Sequence, residues 1–240
     1  MRRPHRLVLV ALALALPAAA SAQARQCSVP ARIAMPRPEG PTPREPRRTM
    51  PIASYTLALI WAPEACRSRS GNIDVGFACG GANRFGFVLH GLWPDGAGGS
   101  WPQYCRPAPV LPEALIRRYL CTTPSAQLLQ HEYAKHGTCM GVPPAAYFAR
   151  ASRLQARLRY PDMRALAARR DLTARQFAAA FARANPGLRP DMIRLSVNRR
   201  GWLEEVWLCL DTRFAWRACP ATQGGTPPAR RIRIQPPTGG

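Results

Sequence analysis

Three of the four histidines in this 240-residue chain fall in two short segments, His90-Gly91-Leu92-Trp93-Pro94 and His131-Glu132-Tyr133-Ala134-Lys135-His136-Gly137-Thr138-Cys139. Two imidazoles, with an ordinary pKa of about 6.5, can serve as neutral base and protonated acid in the same pH range. Brought together, they suit proton transfer at a phosphate ester without a metal. On a helix, Glu132 shares a stripe with His136, and His131 with Lys135, because each pair is four residues apart. A carboxylate, two imidazoles and an ammonium would then converge. The second segment superficially looks like the His-Glu-x-x-His of zinc peptidases, whose ligands lie four apart on one helix face. His131 and His136 are five apart, about 140° from each other around a helix, and this spacing disfavours zinc. Lys135 is the only lysine, against 33 arginines. A compact ammonium on a flexible stem is not equivalent to a planar guanidinium, so a site that needs one mobile point charge beside a phosphate accounts for the exception.

The elements that must position these groups are visible as patterns. Tyr55, Leu57, Leu59 and Trp61 alternate strictly with their neighbours, which predicts a half-buried strand. A second short strand over 85–89 leads into His90, and the Gly-rich stretch 71–86 reads as a loop closed by a short-range bridge. Helices are predicted over 113–120, over 125–136 with Ser125 as its cap and Leu128 and Leu129 on one side, and over 145–158. Thr173 and Gln176 form a capping-box pattern ahead of Phe177 and Phe181, and Asn185-Pro186-Gly187 stops that helix. Strands follow over 192–197 and 204–210, the second with Val206, Leu208 and Leu210 facing one way. Strands and helices grouped in blocks imply an α+β fold rather than a regular βαβ alternation.

Composition bounds the rest. A formal charge of +21 and 47% hydrophobic residues fit one globular domain plus irregular chain, with a polyanion as the obvious partner. A collagen, a coiled coil and a fully disordered chain are excluded. Arg2, Arg3 and Arg6, an apolar run over 7–16 and Ala20-Ser21-Ala22 read as a secretory signal peptide over 1–22, with Ala24 an alternative cleavage point. Its removal after Ala22 takes away three arginines and no acid, leaving +18. No later stretch approaches 18 apolar residues, so no membrane insertion is expected after cleavage, and the product is expected in the periplasm or outside the cell. Export makes the eight cysteines a disulfide framework, with no Cys-x-x-Cys to suggest a metal. Spacing alone leaves all 105 pairings open. Residues 23–52, rich in Pro and Arg, cannot bury enough surface to fold alone and read as a semi-extended leader. The domain follows over 53–235, with a tail over 236–240.

Phe87-Val88-Leu89-His90-Gly91-Leu92-Trp93-Pro94 and the segment from His131 to Cys139 resemble the two active-site segments of the ribonuclease T(2) family, in order and at the usual separation. The likeness covers about residues 55–210, with 55–61 similar to that family's first core strand. It points to exported bacterial members of the periplasmic type. The resemblance implies a disulfide-stapled antiparallel sheet flanked by helices. It also implies a monomeric, metal-independent and cofactor-free endoribonuclease that cuts single-stranded RNA through a 2′,3′-cyclic phosphate, with DNA bound at most non-specifically. Residue by residue it implies His136 as general base, His90 as general acid, Glu132 and Lys135 as transition-state stabilisers, and His131 as a phosphate contact; the acid and base labels can exchange. Trp93 and Asp95 match base-holding positions, and Trp101 is a further stacking candidate. The family pattern pairs Cys105 with Cys139. Cys66 with Cys79 and Cys209 with Cys219 are close in sequence, and Cys27 with Cys121 is what remains, a bridge that would strap the leader to the domain. Two rival readings stand beside this one: a protein that binds RNA by charge without cutting it, and the disfavoured zinc hydrolase.

Overall fold

The computed structural model describes residues 26–69 and 73–237, so the signal-peptide reading lies outside the described residues. At the centre is a four-stranded antiparallel sheet of β1 (Ser54–Trp61), β2 (Phe87–Asp95), β3 (Ile193–Val197) and β4 (Leu203–Leu210), in the spatial order β2-β1-β4-β3. Around it lie α1 (Ala62–Ser68), α2 (Val75–Cys79), α3 (Glu113–Tyr119), α4 (Ala126–Lys135), α5 (Pro144–Ala156), α6 (Met163–Ala167) and α7 (Ala174–Ala184). The α+β architecture is therefore the expected one. Among the described residues no helix is long and apolar enough to cross a membrane.

The strand expected to be half-buried is buried at all eight positions. β1 is an inner strand, and both of its faces are covered. Tyr55, Leu57, Leu59 and Trp61 enter the main core with Leu89, Leu92, Phe177 and Leu208, while Ile60 packs on the opposite face with Val88, Phe85 and Leu128. The intervening Thr56 and Ala58 are small rather than exposed, so polarity alternates although burial does not.

The second correction concerns β2, which does not stop before His90 but runs through it to Asp95. Ala58 pairs with Gly91 and Leu59 with Leu89, so His90 is an extra residue with no partner on β1, a β-bulge. The bulge changes which side chains face which way. Leu89 and Leu92 both enter the core, and Trp93 and Asp95 are turned to the opposite face, opposite Thr56 and Ser54. Bonds from outside the sheet fix this point: the Leu89 N–H donates to the Thr122 carbonyl, and the Thr123 hydroxyl donates to the Leu89 carbonyl at 2.9 Å.

The longer helices stand where their caps and periodicity place them. The Ser125 hydroxyl accepts from Leu128 N–H to open α4, and the Thr173/Gln176 capping box opens α7. α1, α2 and α6 were not expected. Each has seven residues or fewer, too few turns for a periodic signal, and α2 lies inside the glycine-rich stretch read as loop. Four disulfides join Cys27–Cys121, Cys66–Cys79, Cys105–Cys139 and Cys209–Cys219. Between residue 27 and β1 the leader forms no helix or strand, yet it is fastened to the body by Cys27 and by paired backbone bonds between Arg48 and Gln103. Near the other end, Ile232 and Ile234 are buried in the main core.

Candidate active site

Two elements deliver the chemistry, the bulged strand β2 and the C-terminal end of α4. The last carbonyls of α4 lack intrahelical partners and are met from outside: Tyr104 N–H donates to Lys135 O at 2.8 Å and the Thr138 hydroxyl to Ala134 O at 2.8 Å. Cys139, in the 3-10 turn that follows, is bonded to Cys105, one residue from Tyr104. The helix end is thus held covalently and by hydrogen bonds. All eight of the residues singled out in sequence, His90, Trp93, Asp95, Trp101, His131, Glu132, Lys135 and His136, line one cavity of about 440 Å³.

Trp93 is the hub of this wall. Its ring centroid lies 5.0 Å from that of His90 and 5.6 Å from that of His136, and its indole Nε1 donates to Glu132 Oε2 at 2.8 Å. Glu132 Oε1 is 3.4 Å from His90 Nε2. Gly91 lets the strand approach α4 this closely. A Cβ on Gly91 would overlap the Glu132 carboxylate, which the Trp93 indole holds by its hydrogen bond, and come within 2.9 Å of Trp93 Nε1 itself. Gly91→Ala is therefore expected to displace Glu132, costing about 1–3 kcal/mol of stability by overpacking. A thermal melt that matches wild type would contradict this account of the strand–helix contact.

The two imidazoles sit in opposite electrostatic surroundings. Burial disfavours the charged form of both. At His90 the carboxylates of Glu205 and Glu132 outweigh burial and raise the pKa to about 8. At His136, burial is reinforced by the nearby Lys135 ammonium and the neighbouring His131 and His90 side chains, and the ring is held well below the ordinary histidine value. Its Nδ1 is buried without a hydrogen-bond partner. Burial also raises Glu132, against the pull of His90 and His131. Asp95 is raised by burial to about 6, partly opposed by the Thr56 hydroxyl, which donates to Asp95 Oδ2 at 2.7 Å. Thr56 in turn accepts from Gln223 Nε2 at 2.7 Å. Trp101 is exposed at the rim, with the Arg48 guanidinium 4.9 Å over its ring.

Three residues of the site were missed. Glu205 on β4 accepts from His90 Nδ1 at 2.7 Å and from Trp207 Nε1 at 2.6 Å, and burial of the carboxylate is outweighed by the imidazolium, so its pKa is lowered. A signal existed. The same alternation that points Val206, Leu208 and Leu210 inward puts Glu205 on the other face, and a carboxylate in a strand flanked by other strands is rarely idle. The other two are leader acids: Glu45 Oε1 lies 2.6 Å from Lys135 Nζ, and Glu39 Oε2 lies 3.7 Å from His131 Nδ1. Nothing local in a Pro/Arg-rich stretch marks them. Among the described residues no group of three or more His, Cys, Asp or Glu could hold a metal ion.

Comparison with known proteins identifies the family. The profile described as the Ribonuclease T2 family matches residues 52–219. A Haemophilus influenzae protein named "Probable ribonuclease" is 31% identical over 180 residues, covering 70% of this chain and 61% of that protein. An Aeromonas hydrophila "Ribonuclease" is 33% identical over 162 residues, covering 65% of this chain and 71% of its own. The Escherichia coli "Ribonuclease I" is 29% identical over 172 residues, with 54% and 64% covered. The chain thus spans less than two thirds of the Haemophilus and Escherichia proteins. Among solved structures, trichomaglin, described as an S-like ribonuclease, superposes with a TM-score of 0.60 at 21% identity, covering 78% of this chain and 98% of its own. RNase NT in complex with 5′-AMP gives 0.55 at 23% identity, covering 78% and 100%. At these identities the structural likeness speaks to the fold.

Proposed function

Because the chain belongs to the Ribonuclease T2 family, we propose that it is a metal-independent endoribonuclease that cleaves single-stranded RNA by transesterification. The observation that carries this reading is the pair of oppositely tuned imidazoles on one cavity wall, both within ring-contact range of Trp93. Groups whose surroundings push their pKa values apart divide naturally into acid and base. At neutral pH, His136 is neutral and takes the proton from the ribose 2′-OH. The 2′-oxygen bonds to phosphorus as the bond to the 5′-oxygen breaks, and His90 gives its proton to that departing oxygen. The products are a 2′,3′-cyclic phosphate and a 5′-hydroxyl. Negative charge grows on the non-bridging oxygens in the transition state, where the Lys135 ammonium counts for more than in the ground state. Glu132, anchored by Trp93, lines the same wall beside His90. His131 meets a phosphate, and Trp93, Asp95 and Trp101 are placed to stack on or hydrogen-bond a base. DNA lacks the attacking group and is bound without being cut.

Glu205 acts through His90. By accepting from Nδ1 it fixes the tautomer, directs Nε2 to the cavity and keeps the ring charged to about pH 8. The rate constant kcat/KM is accordingly expected to rise with pH through the lowered His136 pKa and to fall as pH passes about 8, where His90 loses its proton. In Glu205→Gln the alkaline limb should move from about 8 toward 6.5, and activity at pH 7.5 should fall about tenfold from the lost imidazolium alone. A variant with reduced activity but an unmoved alkaline limb would reduce Glu205 to a structural role.

Reaction class is tested by incubating the purified protein with RNA and matched DNA in the presence of a chelator, and analysing the new 3′ ends. Cyclic phosphate termini on RNA alone are expected. Loss of cleavage with the chelator would return the zinc reading, and RNA binding without cleavage would leave a protein that acts by charge.

A further inference from the structure

The leader lies along one stripe of α4. Gln127, His131 and Lys135 are four residues apart and so share a helix face. Each meets the leader: Gln127 accepts from the Arg37 N–H at 2.8 Å and donates to Glu39 Oε1 at 2.8 Å, Glu39 reaches His131, and Glu45 pairs with Lys135. The contacts are held in place on both sides. Upstream, Cys27 is bonded to Cys121, and the Arg117 guanidinium donates to the carbonyls of Pro30 and Ala31. Downstream, Gln103 donates to the Pro46 carbonyl at 2.7 Å and Tyr104 OH donates to Glu45 Oε2 at 3.3 Å. Between Cys27 and Pro51 the leader has only two acids, in a chain with 33 arginines to pair with. Both sit instead on the single lysine and on a cavity histidine. The leader precedes the family match, which begins at residue 52.

Resting on the reading of Lys135 and His131 as phosphate-receiving groups, we propose that the leader is a built-in competitor of RNA, its Glu45 and Glu39 carboxylates standing where substrate phosphates must bind. The Glu45 side chain is 43% exposed, so its pair with Lys135 is screened by solvent and weak enough for RNA to displace. The stretch between the upstream and downstream anchors then lifts as substrate enters and returns as product leaves. Because it is attached, it acts at a high local concentration that dilution of the protein does not lower.

The test uses the full oxidised chain with three changes: Glu39→Gln together with Glu45→Gln, which removes charge but keeps shape; Gln127→Ala, which loosens the leader and alters no charge; and Asp171→Asn together with Asp191→Asn, two exposed acids outside the cavity, as control for net charge. Two quantities are read: KM for RNA, and the affinity for inorganic phosphate from NMR titration of the histidine ring signals. The double variant and Gln127→Ala are expected to lower KM and tighten phosphate binding, about three- to tenfold for the double variant, with the control unchanged. Unaltered phosphate affinity in the first two would overturn the proposal, as would a raised KM for RNA in the double variant, which would make the two carboxylates supports for Lys135 and His131. If the wild-type protein cuts no RNA, the ribonuclease reading fails, while the phosphate titration still decides the leader's role.

Discussion

Replacing His136 by Ala is expected to lower kcat by about 10²–10⁴-fold at neutral pH, with little change in RNA affinity, because the ring is withdrawn from proton transfer rather than from phosphate binding. His90→Ala is expected to lose a comparable factor. The two differ in how they can be rescued. A substrate whose 5′-oxygen is replaced by sulfur departs without needing a proton, so it should restore much of the rate to His90→Ala and none to His136→Ala. The assignment rests on surroundings: His90 is bracketed by the carboxylates of Glu205 and Glu132, while His136 faces the ammonium of Lys135 and the other histidines. Rescue of His136→Ala instead would exchange the acid and base labels. Full activity in both alanine variants would end the two-histidine scheme.

Lys135→Met is the second large effect. Removing a charge placed to meet the phosphoryl oxygens is expected to cost about 10²–10³ in kcat, the size seen when one oxyanion donor is deleted. Lys135→Arg should recover only part of this, since a planar fork cannot replace a compact ammonium on the short path between Glu45 and the cavity. Single-turnover rates at saturating RNA separate this loss from a binding defect. If Met at position 135 raised KM and left kcat alone, Lys135 would serve ground-state binding only.

Much of this site could be read before any fold was known, because its main groups come in two contiguous segments. Spacing on a single helix was enough to bring together His131, Glu132, Lys135 and His136, and the capping signals at Ser125 and Thr173 place their helices correctly. What stayed hidden depends on tertiary pairing. Glu205 meets His90 across 115 residues of chain, through a register that no local pattern encodes. The bulge at His90 is likewise a relation between two strands, and unbroken alternation from Leu89 would put Trp93 and Asp95 on the core face. Glu39 and Glu45 gain meaning only when the leader docks. The burial of β1 was misjudged because Thr56 and Ala58 are polar or small for reasons of space, with neighbouring elements over both faces.

The connectivity of the cysteines bears on how the protein is made. Cys66–Cys79 and Cys209–Cys219 join neighbours along the chain, but Cys27–Cys121 and Cys105–Cys139 interlock, each loop enclosing one end of the other. Oxidation in strict order of emergence, first come first joined, would wrongly link Cys27 to Cys66. Correct pairing therefore requires either that the domain collapse before its thiols are consumed or that early bonds be reshuffled by thiol–disulfide exchange. If the first route dominates, an oxidant alone suffices for full yield; if the second does, yield rises with an added isomerase.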